Sequence, residues 1–298
     1  MSRFQANMLL LAVAAIWGFA FVMQSRSMDA IGPLWFVGFR FLIASLIALP
    51  LAIAESRKTD IALGPKNVIG FSMIGLALFL GSAVQQFGLL TTTVTNSGFL
   101  TALYVVFVPI LSLILLRKVP HWIIWPAALL ALFGIFLLSG GKFEGFSTGD
   151  CLTIVCAGFF AVQLLLIGVL VGDSKRPMTL CLFQFAISGV AGVLVASFFE
   201  PIDLAKVMTR WPEIVFTGVF SSGFGFIGQV VGQRYTTAPQ AAIFLCSESL
   251  FAALFGALLL GDSITVVGYI GCGLIFLALV AVEIVPELTK TQAASAKM

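Results

Sequence analysis

Charge is what this chain has least of. Only 29 of its 298 residues are Lys, Arg, Asp or Glu, or 10%, against about 25% in soluble domains. A water-soluble fold of this size cannot cover its surface with so few polar groups without exposing large apolar patches. Histidine is nearly missing as well. The one copy, His121, sits at a segment edge, and with no Cys/His cluster a metalloenzyme is argued against. The five cysteines, Cys151, Cys156, Cys181, Cys246 and Cys272, are odd in number and scattered through apolar segments. They form neither a disulfide framework nor a metal-ligand spacing and read as small buried hydrophobes. No phosphate-binding GxxxxGK[ST] signature occurs, which argues against an ATP-driven pump, and no basic cluster suggests nucleic acid. No cofactor or metal is implied.

What is abundant is apolar length. Hydrophobic residues make up 60% of the chain, with 29 Phe and 29 Gly. Glycine is common in membrane helices because it lets backbones approach closely. A span needs about 20 mostly apolar residues to cross a bilayer core. That rule predicts ten spans: 6–24, 33–54, 67–88, 94–116, 121–139, 150–171, 178–199, 212–232, 239–260 and 264–285. A short polar tail follows, expected to be disordered. The start of the chain also has the ingredients of a signal peptide, with Arg3, an apolar run and small residues. Its removal would leave nine spans and break the repeat described below.

Loop charge sets the orientation. Alternate loops carry eleven Lys and Arg on one side (Arg3, Arg57, Lys58, Lys66, Arg117, Lys118, Lys175, Arg176, Arg234, Lys290, Lys297) and four on the other (Arg26, Lys142, Lys206, Arg210). The positive-inside rule then places both termini in the cytoplasm, with the chain in the plasma membrane.

The two halves repeat. Pro33, Phe39 and Phe41 recur 144 residues on as Pro177, Phe183 and Phe185, and Gln85, Gly88, Thr92 and Thr93 recur at the same offset as Gln229, Gly232, Thr236 and Thr237. Gly81 and Gly225 fit it too, while Gly18, Phe19 and Val22 match Gly158, Phe159 and Val162 at an offset of 140. Five spans per half is an odd number, so the second half enters the membrane upside down. The expected fold is an all-α integral membrane protein, ten transmembrane helices in a 5+5 inverted repeat. The repeats span 1–145 and 146–286, and the tail 287–298. This is the plan of many secondary transporters.

Polar side chains at membrane depth are costly and need partners or a wet cavity. Arg40 and Glu248 are the clearest deep charges. Arg40 could instead snorkel outward or tie helix ends. Glu248 could bind an ammonium or carry a proton, and facilitated diffusion without coupling stays open. Gln85 and Gln229 are repeat mates, Gln184 is the mate of Arg40, and Gln163 adds another amide; each could line a cavity or join helices. Trp17 and Tyr104 lie away from the interfacial belts and could stack on a solute or simply pack. Trp35, Trp122, Trp125 and Trp211 read as interfacial anchors. Pro109 is expected to kink its span, and Gly223, Gly225 and Gly228 form a close-packing seam.

On these residues the chain resembles the EamA branch of the drug/metabolite transporter superfamily. The likeness is carried by Trp17-Gly18, by Pro33 with Phe39-Arg40-Phe41 and Ala44, and by Asn96-Ser97-Gly98 through Pro109. It continues in Ser247-Glu248 and Leu258-Leu259-Leu260-Gly261-Asp262. Where that family often has Gly-Glu after spans four and nine, this chain has Arg117-Lys118 and Gly261-Asp262, and no role is carried to those positions. The resemblance implies a central cavity and metabolite substrates, often exported; aromatic amino acid exporters of the YddG type share its size and layout. The solute site is then expected at Trp17, Arg40, Gln85, Tyr104, Gln163, Gln184, Gln229 and Glu248. A small solute and membrane lipid are the expected partners, with monomer and homodimer both open. An intramembrane enzyme lacks a nucleophile–base cluster, and a channel or lipid scramblase would need a continuous polar path.

Overall fold

The computed structural model describes residues 1–59, 62–138, 140–141, 147–260 and 264–295. Gly261 and Asp262 lie outside them. Among the described residues, nine helical spans of 21 to 27 residues are apolar enough to cross a bilayer, and a tenth apolar helix, Ile124–Leu138, is shorter. At 1.5 Å per residue its 15 residues cover about 23 Å, and it starts three residues later than expected.

Spans one to three are α1 (Arg3–Ser27), α2 (Pro33–Arg57) and α3 (Pro65–Gly88). Span four is split into α4 (Val94–Thr101) and α5 (Tyr104–Leu116), and span five is α6 (Ile124–Leu138). In the second half, α7 (Thr148–Ser174) and α8 (Pro177–Phe199) are spans six and seven, and a short surface helix α9 (Leu204–Thr209) follows. Span eight runs through α10 (Trp211–Phe216), a π-helical stretch Thr217–Gly225 and α11 (Phe226–Gln233). Span nine is split into α12 (Ala238–Leu245) and α13 (Glu248–Leu260), and span ten is α14 (Val266–Ser295). The polar tail is therefore not a coil. Its backbone stays helical through Ser295, past Pro286, because Leu288, Lys290, Gln292, Ala293 and Ala294 are good helix formers.

The packing exchanges partners between halves as a two-fold axis in the membrane plane requires. Spans two and seven pack on each other, as do five and ten; span one lies against eight and nine, and span six against three and four. Span two meets the π-helical part of span eight, and span seven meets span three. The packing also corrects one register. Trp17 lies against Gly225 while Phe160 lies against Gly81, and Ala6 and Leu10 face Gly232 while Gly149 and Thr153 face Gly88. Spans one and six thus correspond at an offset of 143, not 140. Short matches of Gly and Phe are a weak guide in a chain holding 29 of each.

Each half caps the other. Pro33 and Pro177 open α2 and α8 as N-terminal prolines do, since the missing N–H has no helical partner there. Neither helix has a local side-chain cap. The Glu200 carboxylate, at the end of α8, accepts from the backbone N–H of Leu34 at 3.0 Å and of Trp35 at 3.2 Å. The Glu55 carboxylate, in the last turn of α2, accepts from Met178 and Thr179 N–H at 3.0 and 2.8 Å. Carboxylates at helix N-termini satisfy orphan donors and complement the helix dipole.

Candidate functional site

Both split spans break at the same place. In span four the ladder tightens to i→i−3 bonds from Leu103 to Leu100, Val105 to Ala102 and Val106 to Leu103. Span nine repeats this 144 residues later, from Ser247 to Phe244, Ser249 to Cys246 and Leu250 to Ser247. Short 3₁₀ stretches inside a helix commonly mark hinges. Pro109, where a kink is expected, lies inside α5, which is continuous through it. The first residues after the two breaks are Tyr104 and Glu248, and the Tyr104 hydroxyl donates to Glu248 Oε1 at 3.1 Å. Two repeat mates thus meet at the pseudo-symmetry axis.

This pair lines a small central cavity. Span one contributes Trp17, Phe21 and Gln24; span two Arg40; spans three and four Gln85, Thr101 and Tyr104. The second half contributes Phe160, Gln163 and Leu164 from span six, Ser221, Phe226 and Gln229 from span eight, and Glu248. Seven of the eight residues expected at the site line it. The eighth, Gln184, stands behind the wall, where its Oε1 accepts from Gln163 Nε2 at 3.2 Å. Sequence reasoning missed the aromatic wall of Phe21, Phe160 and Phe226. The available signal was the correct register, which makes Phe160 the mate of Trp17.

Arg40 does not snorkel. Its side chain is 3% exposed and Nη1 donates to Gln24 Oε1 at 2.8 Å. The guanidinium sits 4.8 Å from the Phe41 ring centroid and 5.7 Å from that of Phe36, within cation–π range. Nε has no partner. Glu248 is 4% exposed and, among the described residues, forms no salt bridge. The cavity is therefore lined by one cation and one carboxylate not paired with each other. Gln163 and Gln229 exchange hydrogen bonds at 3.3 and 3.1 Å, and Gln85 donates to Thr101 Oγ1 at 3.0 Å.

Two glycines set this geometry. A Cβ at Gly18 would lie 2.8 Å from the Glu248 carbonyl oxygen and 2.7 Å from Ala252 N, so only glycine brings span one this close to the Glu248 break. A Cβ at Gly225 would lie 2.5 Å from Trp17 Nε1. That nitrogen donates at 3.0 Å to the carbonyl of Ser221, inside the π-helix, where the altered ladder redirects backbone groups. Gly223 and Gly228 face Ile47 and Val13, so the expected close-packing seam is present.

A larger vestibule lies one helical turn further along, at the end of the bundle that carries the N-terminus. Arg3, Lys118, His121, Leu165, Gln233, Arg234 and Pro286 are among its walls. Between cavity and vestibule stand the Gln163–Gln229 pair and the bond from Gln233 Nε2 to the Leu164 carbonyl at 2.9 Å. At the opposite end, side chains meet across the bundle: Arg40 with Gln24, Gln86 with Met28, Phe19 with Phe216 and Phe255, and Thr92 with Asp150. Outside the spans, Arg210 binds Asp29 through both carboxylate oxygens, at 2.6 and 3.2 Å. The guanidinium holds the Asp29 carboxyl below its usual range.

Known proteins fit this architecture. An uncharacterized transporter of Archaeoglobus fulgidus is 33% identical over 286 residues, covering 95% of this chain and 87% of that protein. The uncharacterized transporter YwfM of Bacillus subtilis is 23% identical across 97% of each chain. A solved structure titled only as the crystal structure of a protein superposes with a TM-score of 0.76 at 17% identity, over 95% of this chain and 98% of that one, which speaks to fold alone. The profile of the EamA-like transporter family matches twice, over residues 5–140 and 147–283. The chain is a multi-pass membrane protein and belongs to the EamA-like transporter family.

Proposed function

We propose that the chain exports a zwitterionic metabolite, with an aromatic amino acid favoured, across the plasma membrane by alternating access. One observation carries the reading: Arg40 and Glu248 line the same buried cavity without pairing to each other, between aromatic walls. A free carboxylate suits a guanidinium fork, an ammonium suits Glu248, and an apolar ring suits the faces of Trp17, Phe160 and Phe226. Gln85, Gln163 and Gln229 supply neutral donors and acceptors, and Gln184 holds Gln163 from behind. The excess of Lys and Arg in the loops beside the termini supports a cytoplasmic side for those termini and so for the vestibule. An exporter loads from there. The domains of this mechanism are the repeats 1–145 and 146–286. Every group invoked comes from one chain, so a monomer suffices, embedded in lipid, with no nucleic acid and no chemical step.

The bonds separating cavity from vestibule weigh against a channel or scramblase, which needs an uninterrupted polar path. Proteoliposome flux tests the reading with three solutes of one ring system: tryptophan, tryptamine and indole-3-propionate. Tryptophan should move and be displaced poorly by the other two, each of which satisfies only one of the two charges. Equal competition by tryptamine would sink the zwitterion assignment. Coupling is read from the same vesicles: a proton carried on Glu248 makes Glu248→Gln insensitive to a pH gradient while substrate binding stays measurable.

A further inference from the structure

The register of 143 between spans one and six, with 144 elsewhere, pairs each polar contact at one end of the bundle with a defined position at the other. At the end opposite the vestibule, the Thr92 hydroxyl, in the turn between α3 and α4, donates to Asp150 Oδ1 in the first turn of α7. The same transformation carries Thr92 to Thr236 and Asp150 to Asn7. Thr236 lies in the turn between α11 and α12, on the vestibule wall, and Asn7 lies in the first turns of α1.

Both mates have an unused polar atom. Thr236 Oγ1 and Asn7 Oδ1 are buried and without a hydrogen-bond partner, although Asn7 is fully buried and its Nδ2 is held by the Glu283 carboxylate. A buried acceptor and a buried donor left unmade are each costly, and buried polar groups in folded proteins ordinarily have a partner. Their repeat counterparts are joined, at the end where side chains meet across the bundle.

We propose that Thr92–Asp150 and Thr236–Asn7 are alternating latches. The first is closed here and holds the far end shut. The second forms when the vestibule shuts, as the Thr236 hydroxyl swings to Asn7 Oδ1, while Glu283 holds the Asn7 amide nitrogen. The latches differ in strength, because one acceptor is a carboxylate and the other a neutral amide. Hydrogen bonds to charged groups are roughly twice as strong, so the vestibule-open state is favoured in the absence of solute. This rests on the alternating-access reading but not on the identity of the solute.

The test reads conformation without substrate. Spin labels at Gly172→Cys and Tyr235→Cys, with Cys151 and Cys272 replaced by serine, report the distance across the vestibule in the full chain. Thr92→Val should shift the population from the long towards the short distance by about tenfold, the ratio that one charged hydrogen bond commands. Thr92→Ser keeps the hydroxyl and should match the parent. Thr236→Val should retain the long distance and slow flux by about fivefold, as a neutral hydrogen bond implies, with Thr236→Ser restoring it. Distance distributions identical in Thr92→Val and parent would overturn the first latch, and full-speed flux in Thr236→Val the second. A failed amino acid screen would leave the Thr92→Val distance result standing, so the first latch and the substrate assignment fail separately.

Discussion

The two repeats place their side chains alike and choose them differently. Tyr104 answers to Glu248, Arg40 to Gln184 and Trp17 to Phe160; among mates that both line the cavity, only Gln85 and Gln229 are identical. The backbone is what the symmetry preserves, down to the same i→i−3 bonds at both breaks. The proposed alternation between two access states needs equivalent hinges, and the matching breaks in the two halves fit that need. Recognition of a solute with distinct ends needs the opposite: one cation, one carboxylate and one pinned indole. Span eight departs furthest from its mate. Span three is a plain α-helix, whereas span eight carries the π-helical stretch whose carbonyl fixes Trp17.

The largest effects should come from removing charge asymmetry. Arg40→Gln gives both repeats glutamine at this position, and Glu248→Gln removes the lone carboxylate. Each should lower zwitterion flux in proteoliposomes by about thirtyfold or more, since truncating one partner of a buried charged contact costs about 2–5 kcal/mol. Next comes the pinned ring. Gly225→Ala drives a methyl into Trp17, and Gly81→Ala into Phe160. Overpacking costs about 1–3 kcal/mol. Trp17 is held by a hydrogen bond and Phe160 is not, so Gly225→Ala should raise the apparent KM about tenfold while Gly81→Ala changes it little. Tyr104→Phe removes a hydrogen bond to the Glu248 carboxylate, worth about 1.5 kcal/mol or more for a charged acceptor, and should reduce flux about tenfold. The smallest effect belongs to Asp29→Asn. This surface pair is screened by solvent and salt, and flux should change less than twofold. Because the folded-state pKa of Asp29 is depressed, what the pair contributes is present above the ordinary carboxylate range and is lost as pH falls through the lowered value. A thermal unfolding series from pH 6 down to pH 3, compared with Asp29→Asn, checks the sign.

Much of this was legible in the chain because lipid imposes simple rules. Span length and the depth of the rare Gln, Arg, Glu, Trp and Tyr depend on local sequence, and they located the spans and seven of the cavity residues. Phe160 and Phe226 were not legible, because nothing local separates a cavity phenylalanine from the many that face lipid. The breaks at Ala102–Leu103 and Cys246–Ser247 carry no Gly or Pro at the break itself, so no breaker announced them. The Glu55 and Glu200 caps join residues more than 120 positions apart, beyond the reach of any reading by window.

The crossed caps also constrain how the protein is made. Glu200 lies 166 residues after Leu34, whose N–H it receives. At about 5–20 residues per second of synthesis, the start of α2 waits roughly 8 to 33 s for its carboxylate. The first five helices can enter the membrane in that time, but the start of α2 gains its carboxylate partner only after the ribosome has passed the end of span seven.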